Sequence, residues 1–550
     1  MKTRLAALMA LFIGVLSAQL EMNYSYEMKY GDGKQVLVAS PNNIFPEGED
    51  YNYLEHIMEI NTTFSNGVYL FTQFEYSNPP VLGESIQGIN KFYIDYYWDK
   101  LYFKVGDIYS LQGRGLSLNL MQDQNIDYDN SVRGLESRYD VFDNFSLYSI
   151  IGQSKYKYRS DPAEREKDLL LDSKLNFAGF EYDHGIIGTM SFSLLLNDIY
   201  SNNENNMTDY KLTEYDFTWG KQIKNIDLFI DYLVSKTNGN QTTNGEKLYA
   251  MLYTNIYDYS ITYEFKKYLL NNNEQIISAN APIVFKESNS PLISSNSHAI
   301  NWHDETGHQI EINKSFSTKF IVQSNLSFSH NHSRKNISLL DLLKMDDESE
   351  IYTRYPFRQF YLEASGWIYS DNIYYKIGLD QFDDFKIKGS NSESVSAFTI
   401  PSMFSINISD INSVTIYAEY QNRDEITRNQ GYAIQKINNF VDHYFSLTYN
   451  YRNLLSLTYF YRDEVFTGKW GEIMGGGYQY NTVNGDLDGS LSDGNLDKWR
   501  AVEISYKYNT TTQISVLYGS QKGGLVCANG ICAVQPGFDD GYKITFRSLF

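Results

Sequence analysis

The sequence predicts an all-β fold: a single large closed antiparallel transmembrane β-barrel of about twenty-four strands, in a range of about twenty-two to twenty-six, with short periplasmic turns and long external loops. Three observations lead there. Segment after segment alternates apolar and polar residues with period two. Short and long connections alternate along the chain. The segment Tyr542 to Phe550 places Tyr542, Ile544, Phe546, Ser548 and Phe550 on one face, against Lys543, Thr545, Arg547 and Leu549 on the other.

Taken in order, Met1-Lys2-Thr3-Arg4 is a short cationic start, Leu5 to Leu16 an apolar core, and Leu16-Ser17-Ala18 a small-residue cleavage pattern. Residues 1–18 thus read as a secretory signal peptide and 19–550 as the barrel. The apolar run is too short to be a membrane-spanning helix, and export makes disulfides permissible.

The alternation follows. Phe92, Ile94, Tyr96 and Trp98 share a face against Lys91, Tyr93, Asp95 and Tyr97. Phe360, Leu362, Ala364 and Ile368 oppose Tyr361, Glu363, Ser365 and Trp367. Val414, Ile416, Ala418 and Tyr420 oppose Thr415, Tyr417, Glu419 and Gln421; Val502, Ile504 and Tyr506 oppose Glu503, Ser505 and Lys507. Tight turns such as Ser65-Asn66-Gly67, Trp98-Asp99-Lys100 and Ser370-Asp371-Asn372 separate longer polar loops near 31–50, 108–131, 271–306, 331–357, 467–498 and 521–541. An even strand number returns Phe550 to the side on which the first strand starts, and closure leaves no edge to pair with other chains.

Composition agrees. The chain has 550 residues, 10 Pro, 16% aromatics including 48 Tyr, and a formal charge of −21. Few prolines suit a hydrogen-bonded wall, and aromatics suit interfacial girdles. The acidic balance disfavours nucleic acid as a partner. Lumenal acids would favour cations, whereas acidic external loops would simply be solvated.

Several constellations could carry chemistry. Asp107, Gly113-Arg114-Gly115 and the acids Asp123, Asp127 and Asp129 suggest a loop that either folds into the lumen as a constriction or pairs locally outside. The lumen-face candidates are Asp95, Asp107, Arg114, Glu363, Glu419, Glu503 and Lys507, because charge on the lipid face costs about 2–4 kcal/mol at midplane. Cys527 and Cys532 flank the turn signal Asn529-Gly530 and should close a disulfide worth roughly 2 kcal/mol. Asp486, Asp488 and Asp493 resemble half of a calcium loop without its final Glu, so a solvated loop competes with Ca2+ there, and no other cofactor or metal is expected. Neither His-Glu-x-x-His nor Gly-x-Ser-x-Gly occurs, so an enzyme is not expected.

Gly106-Asp107-x-Tyr109 with Gly113-Arg114-Gly115-Leu116, and the ending Gly524, Cys527, Gly530-Ile531-Cys532, Pro536 and Phe550, resemble an uncharacterised outer-membrane β-barrel family of Bacteroidota-type bacteria. Ala533 stands where that pattern expects a basic residue. The resemblance implies location and fold but no substrate. Tyr542, Ile544, Phe546 and Phe550 look like the assembly signal read by the barrel-assembly machinery. Outer-membrane lipid would be the other partner. A channel or porin-like transporter is the leading expectation. The alternative is a scaffold of a secretion or surface assembly with a plugged lumen, and the minor one a barrel-embedded hydrolase. No energy-coupling box is evident near Gln19 and no plug domain precedes the wall, which argues against a TonB-type transporter.

Overall fold

The computed structural model describes residues 20–36, 49–158, 169–203, 206–239, 242–270, 282–296, 298, 300–301, 304–317, 319–331, 356–369, 371–388, 391–428, 434–466, 497–528, 531–535 and 537–550. Twenty-four strands form one antiparallel sheet in which each pairs with its neighbours in sequence. The sheet closes because the first strand, Leu20–Val36, pairs on one side with Glu49–Phe64 and on the other with Gly537–Leu549. At this seam Phe550 donates its N–H to the Tyr24 carbonyl at 2.8 Å, and their rings stack 4.9 Å apart. Closure at this seam leaves neither the first nor the last strand as an open edge.

Short turns such as Trp98 to Leu101, Ile223 to Ile226 and Ser409 to Asn412 lie at one end, and the long connections at the other. Positive φ at Asp99 and Lys224 marks two of these turns, and Asp371 takes it in the similar turn before Ile373. Strands reach 19 residues, as in Asn391–Ser409, well beyond the about 9–11 a crossing needs. The wall therefore continues past any apolar layer on the long-loop side.

The outer face is apolar and open. Phe92, Leu135, Ile151, Phe192, Leu196, Phe217, Leu362, Ile504 and Val516 are all exposed there. In the strand Gly188–Asn203, Phe192 and Leu196 are followed on the same face by Asp198, which marks where the apolar layer stops.

The inner face departs from the sequence expectation of a polar lumen. Towards the long-loop end it carries Ile150, Leu175, Phe177, Leu195 and Leu212, each almost fully buried. They pack against Leu118, Leu120, Ile126 and Tyr128 of the connection after Leu101–Ile108. That connection folds inward and supplies the barrel with a core. A second inward connection precedes Glu305–Ser317. Its Val284, Phe285 and Ile300 pack with Tyr268, Phe357, Phe382 and Leu116, so the two loops share a core.

Candidate functional site

The inward loops are held by charges set on the wall. The first crosses to strands Asn206–Ile223 and Ile226–Asn238. There the Arg114 N–H donates to Asp231 Oδ2 at 2.9 Å and Ser117 Oγ donates to Asp216 Oδ2 at 3.1 Å. Lys247, 1% exposed, donates to the Leu116 carbonyl at 2.7 Å. Gly113 is required here: its φ is +57°, and a Cβ would lie 2.6 Å from Asp231 Oδ2. The Arg114 guanidinium itself rests over the Phe229 ring, 5.2 Å from its centroid.

The second loop is fastened at two points. Glu419 Oε2 accepts the Leu292 N–H at 2.8 Å, and Gln421 Nε2 donates to the Leu292 carbonyl at 3.0 Å. The other fastening is a buried charge cluster. Lys266 Nζ lies 2.5 Å from Glu305, which also accepts the Asn301 N–H at 2.5 Å. His298 stacks on Phe357, its ring 4.2 Å away, with Nδ1 2.9 Å from Asp384 and Nε2 3.3 Å from Glu305. Burial pulls the His298 pKa down, but the charges of Asp384 and Glu305 more than reverse this, to about 9.

Ser329 Oγ lies 3.3 Å from His298 Nε2, so Ser329, His298 and Asp384 superficially match a hydrolase triad. An imidazole with a pKa near 9 is charged at neutral pH and cannot take the serine proton. Ser329 is moreover only 2% exposed. The cluster is a latch.

Of the residues singled out from sequence, Glu363, Glu419, Glu503 and Lys507 lie on the face opposite the exposed Leu362, Tyr420, Ile504 and Tyr506. Asp95 stands across from Lys104 in the register. Glu363 meets Lys376 at 2.8 Å, Ser505 Oγ donates to Glu503 at 3.1 Å, and Lys507 sits beside a short turn. Tyr361 and Tyr417 each donate to the carboxylate two residues on. Asp107 has another post: it is 4% exposed, paired with Arg133 at 2.8 Å, and accepts the Phe92 N–H at 2.7 Å where the strand ladder stops. Cys527 and Cys532 are directly opposite in the register of the small hairpin Gly524–Ala528 and Ile531–Gln535, their side chains lying outside the described residues. Asp486, Asp488, Asp493 and residues 1–18 also lie outside the described residues.

The short-turn end of the interior differs. Arg547, on the inner face of its strand, is 65% exposed and 2.7 Å from Glu27. Arg138 is 48% exposed between Asp140 at 3.3 Å and Glu181 at 3.4 Å. Charges this open need water around them. The interior is thus an open vestibule at one end and a loop-filled half at the other.

A model described as a family of unknown function (DUF6029) matches residues 5–550. The chain belongs to this family. No curated protein matches the sequence. Among solved structures, this DUF6029 chain is similar to the siderophore receptor PirA from Pseudomonas aeruginosa, at 7% identity and TM-score 0.43, over 96% of this chain and 80% of that one. The outer membrane transporter YddB from Escherichia coli gives 7% and 0.44, over 96% and 81%. A BenF-like porin from Pseudomonas fluorescens Pf-5 gives 10% and 0.36, over 66% and 94%.

Proposed function

We propose that this protein is an outer-membrane channel of a Gram-negative bacterium, passing a hydrophilic solute through a lumen narrowed by its two inward loops. One observation carries the reading: a closed wall exposes apolar side chains outward while Arg547, Arg138 and Glu181 stand solvated inside. A wall of that polarity is at rest only between lipid and water. In this reading residues 1–18 direct export and are removed, Asp95, Glu503 and Lys507 line the path with Arg114 at its loop, and the buried Glu363 and Glu419 brace the wall and the second loop beside it. The barrel-assembly machinery reads Tyr542, Ile544, Phe546 and Phe550. The chain is not an enzyme.

A second reading has an observation of its own. The two loops share a core and cross to separate stretches of the wall, which suits a plugged scaffold in a surface assembly. Planar-bilayer recording separates the two. Stepwise conductance is expected of the channel. Persistent silence of purified, folded protein, with stoichiometric partners on purification, overturns the channel and favours the scaffold.

A further inference from the structure

The wall is notched on one side. Gln87–Trp98 and Leu101–Ile108 pair only from Trp98↔Leu101 up to Tyr93↔Gly106. Beyond that rung the Phe92 N–H is taken by the Asp107 carboxylate instead of a strand carbonyl. Gly106, with φ +121°, lets the strand veer away, since a Cβ there would lie 2.2 Å from the Phe92 carbonyl oxygen. The next strand, Val132–Phe142, starts at the same level, with Ile108 opposite Val132. Its other neighbour, Phe145–Tyr158, continues higher and is paired there only with Leu169–His184. Among the described residues, 87–92 and 154–158 therefore face one another across a gap that no strand fills. The Lys157–Glu84 ion pair at 2.6 Å crosses it, and the first inward loop meets both sides, Asp129 at Lys91 and Tyr128 at Tyr156.

The gap sits immediately above the apolar layer. Leu135 and Ile151 are exposed on the outer face and opposite each other in register; two residues higher on that face stand Arg133 and Gln153, then Lys155. A cavity of about 480 Å³ occupies the gap. Its lining includes lumen-side Lys29, Glu55 and Glu75 together with outer-face Arg133, Lys155 and Lys157. The cavity is thus bounded by residues from both faces of the wall and by Asp123 and Asp129 of the first inward loop.

We propose that solute enters this barrel sideways, through this port at the outer surface of the membrane, rather than along the axis through the loop-filled mouth. The proposal rests on the channel reading and gives it an entrance and a solute class. Three opposite pairs meet at the port: Arg133 with Asp107 at 2.8 Å, Lys91 with Asp129 at 3.2 Å, and Lys157 with Glu84, and the whole lining carries acids and bases in similar number. Paired charges leave little net field to select one sign, yet they offer donors and acceptors throughout. Small neutral or zwitterionic polar solutes fit such a lining, and the volume lies in the range of small-molecule sites.

Lys155 supplies the test, because its side chain is on the outer face, where an axial pore would not feel it. In a Cys527→Ser/Cys532→Ser background, Lys155→Cys is reconstituted and modified with a bulky methanethiosulfonate, completion being read by mass. Single-channel conductance should fall by about half or more, and swelling of the proteoliposomes in glycylglycine should slow in parallel. Lys174→Cys, exposed on the outer face of the neighbouring strand but not lining the cavity, should leave both unchanged. Asp123→Cys, lining the port from the loop side, repeats the test should Lys155→Cys fold poorly. Full modification with conductance and swelling unaltered overturns the side entrance while the channel reading stands. A silent unmodified barrel removes the channel reading, and the port with it.

Discussion

Replacing Glu305 with Leu should release the second inward loop without opening the barrel wall. Glu305 is 2% exposed and holds Lys266, the Asn301 N–H and one edge of His298. Lys266 is itself 0% exposed, so removing the carboxylate leaves an ammonium buried without its anion. Breaking a buried pair in this way costs about 3–5 kcal/mol. The barrel has an inexpensive escape: the loop lifts and lets water reach Lys266. The opening equilibrium should rise by about 10²-fold or more, at roughly 1.4 kcal/mol per decade. The assay is amide exchange at Leu292 and Ile293, whose N–H groups are held by Glu419 and Ser290 Oγ. Adding Lys266→Met should bring exchange back to within about tenfold of the parent, because an apolar pair of similar volume replaces a buried ion pair at little net cost. Unchanged exchange in the single variant would refute the latch. So would a double variant as loose as the single one, since that would make the effect one of packing rather than of an orphaned charge.

The other predictions concern pH, the seam and the hairpin. The His298 pKa, about 9 in the fold, lies above its ordinary 6.5, so the hold it contributes is whole below pH 6.5 and is lost as pH rises through about 9. Exchange at Leu292, corrected for base catalysis, should accelerate across that window, and His298→Gln should flatten the profile. Phe550→Ala loses a ring stacked on Tyr24, worth about 0.5–1.5 kcal/mol at the seam. Folding stability in detergent should therefore fall little, while yield in the outer membrane should fall severely; a yield reduced no more than the stability would count against a sorting role. Cys527 and Cys532 should resist alkylation until reduced, and their replacement by Ser should loosen the Gly524–Gln535 hairpin by about 2 kcal/mol. Ready alkylation of the unreduced protein would dismiss the bond.

The wall was legible because its physics is local. A strand between lipid and water must alternate, and Val502 to Lys507 or Tyr542 to Leu549 shows that over a few residues. Strand number and closure followed from counting turns. The latch was not legible, because it joins residues that only the barrel brings together: Lys266, His298, Glu305 and Asp384 come from three wall strands and a loop, and no spacing rule connects them. Nor could any pattern say that the Asp107 carboxylate would take the Phe92 N–H rather than line a pore. One signal was nevertheless present. Leu169-Leu170-Leu171 and Leu194-Leu195-Leu196 are apolar on both faces, which a water-lined wall has no use for. Leu116, Leu118 and Leu120 lie in a stretch read as a loop turning either inward or outside, and Val284 and Phe285 in one read as a polar loop. Each set is an anomaly alone. Together they solve one another, because surplus apolar surface inside a wall and surplus apolar residues in its loops can both leave water only if those loops turn inward. Once they do, they fill part of the barrel with a core, and the place where two strands stop short at Ile108 and Val132 is where we propose that solute enters.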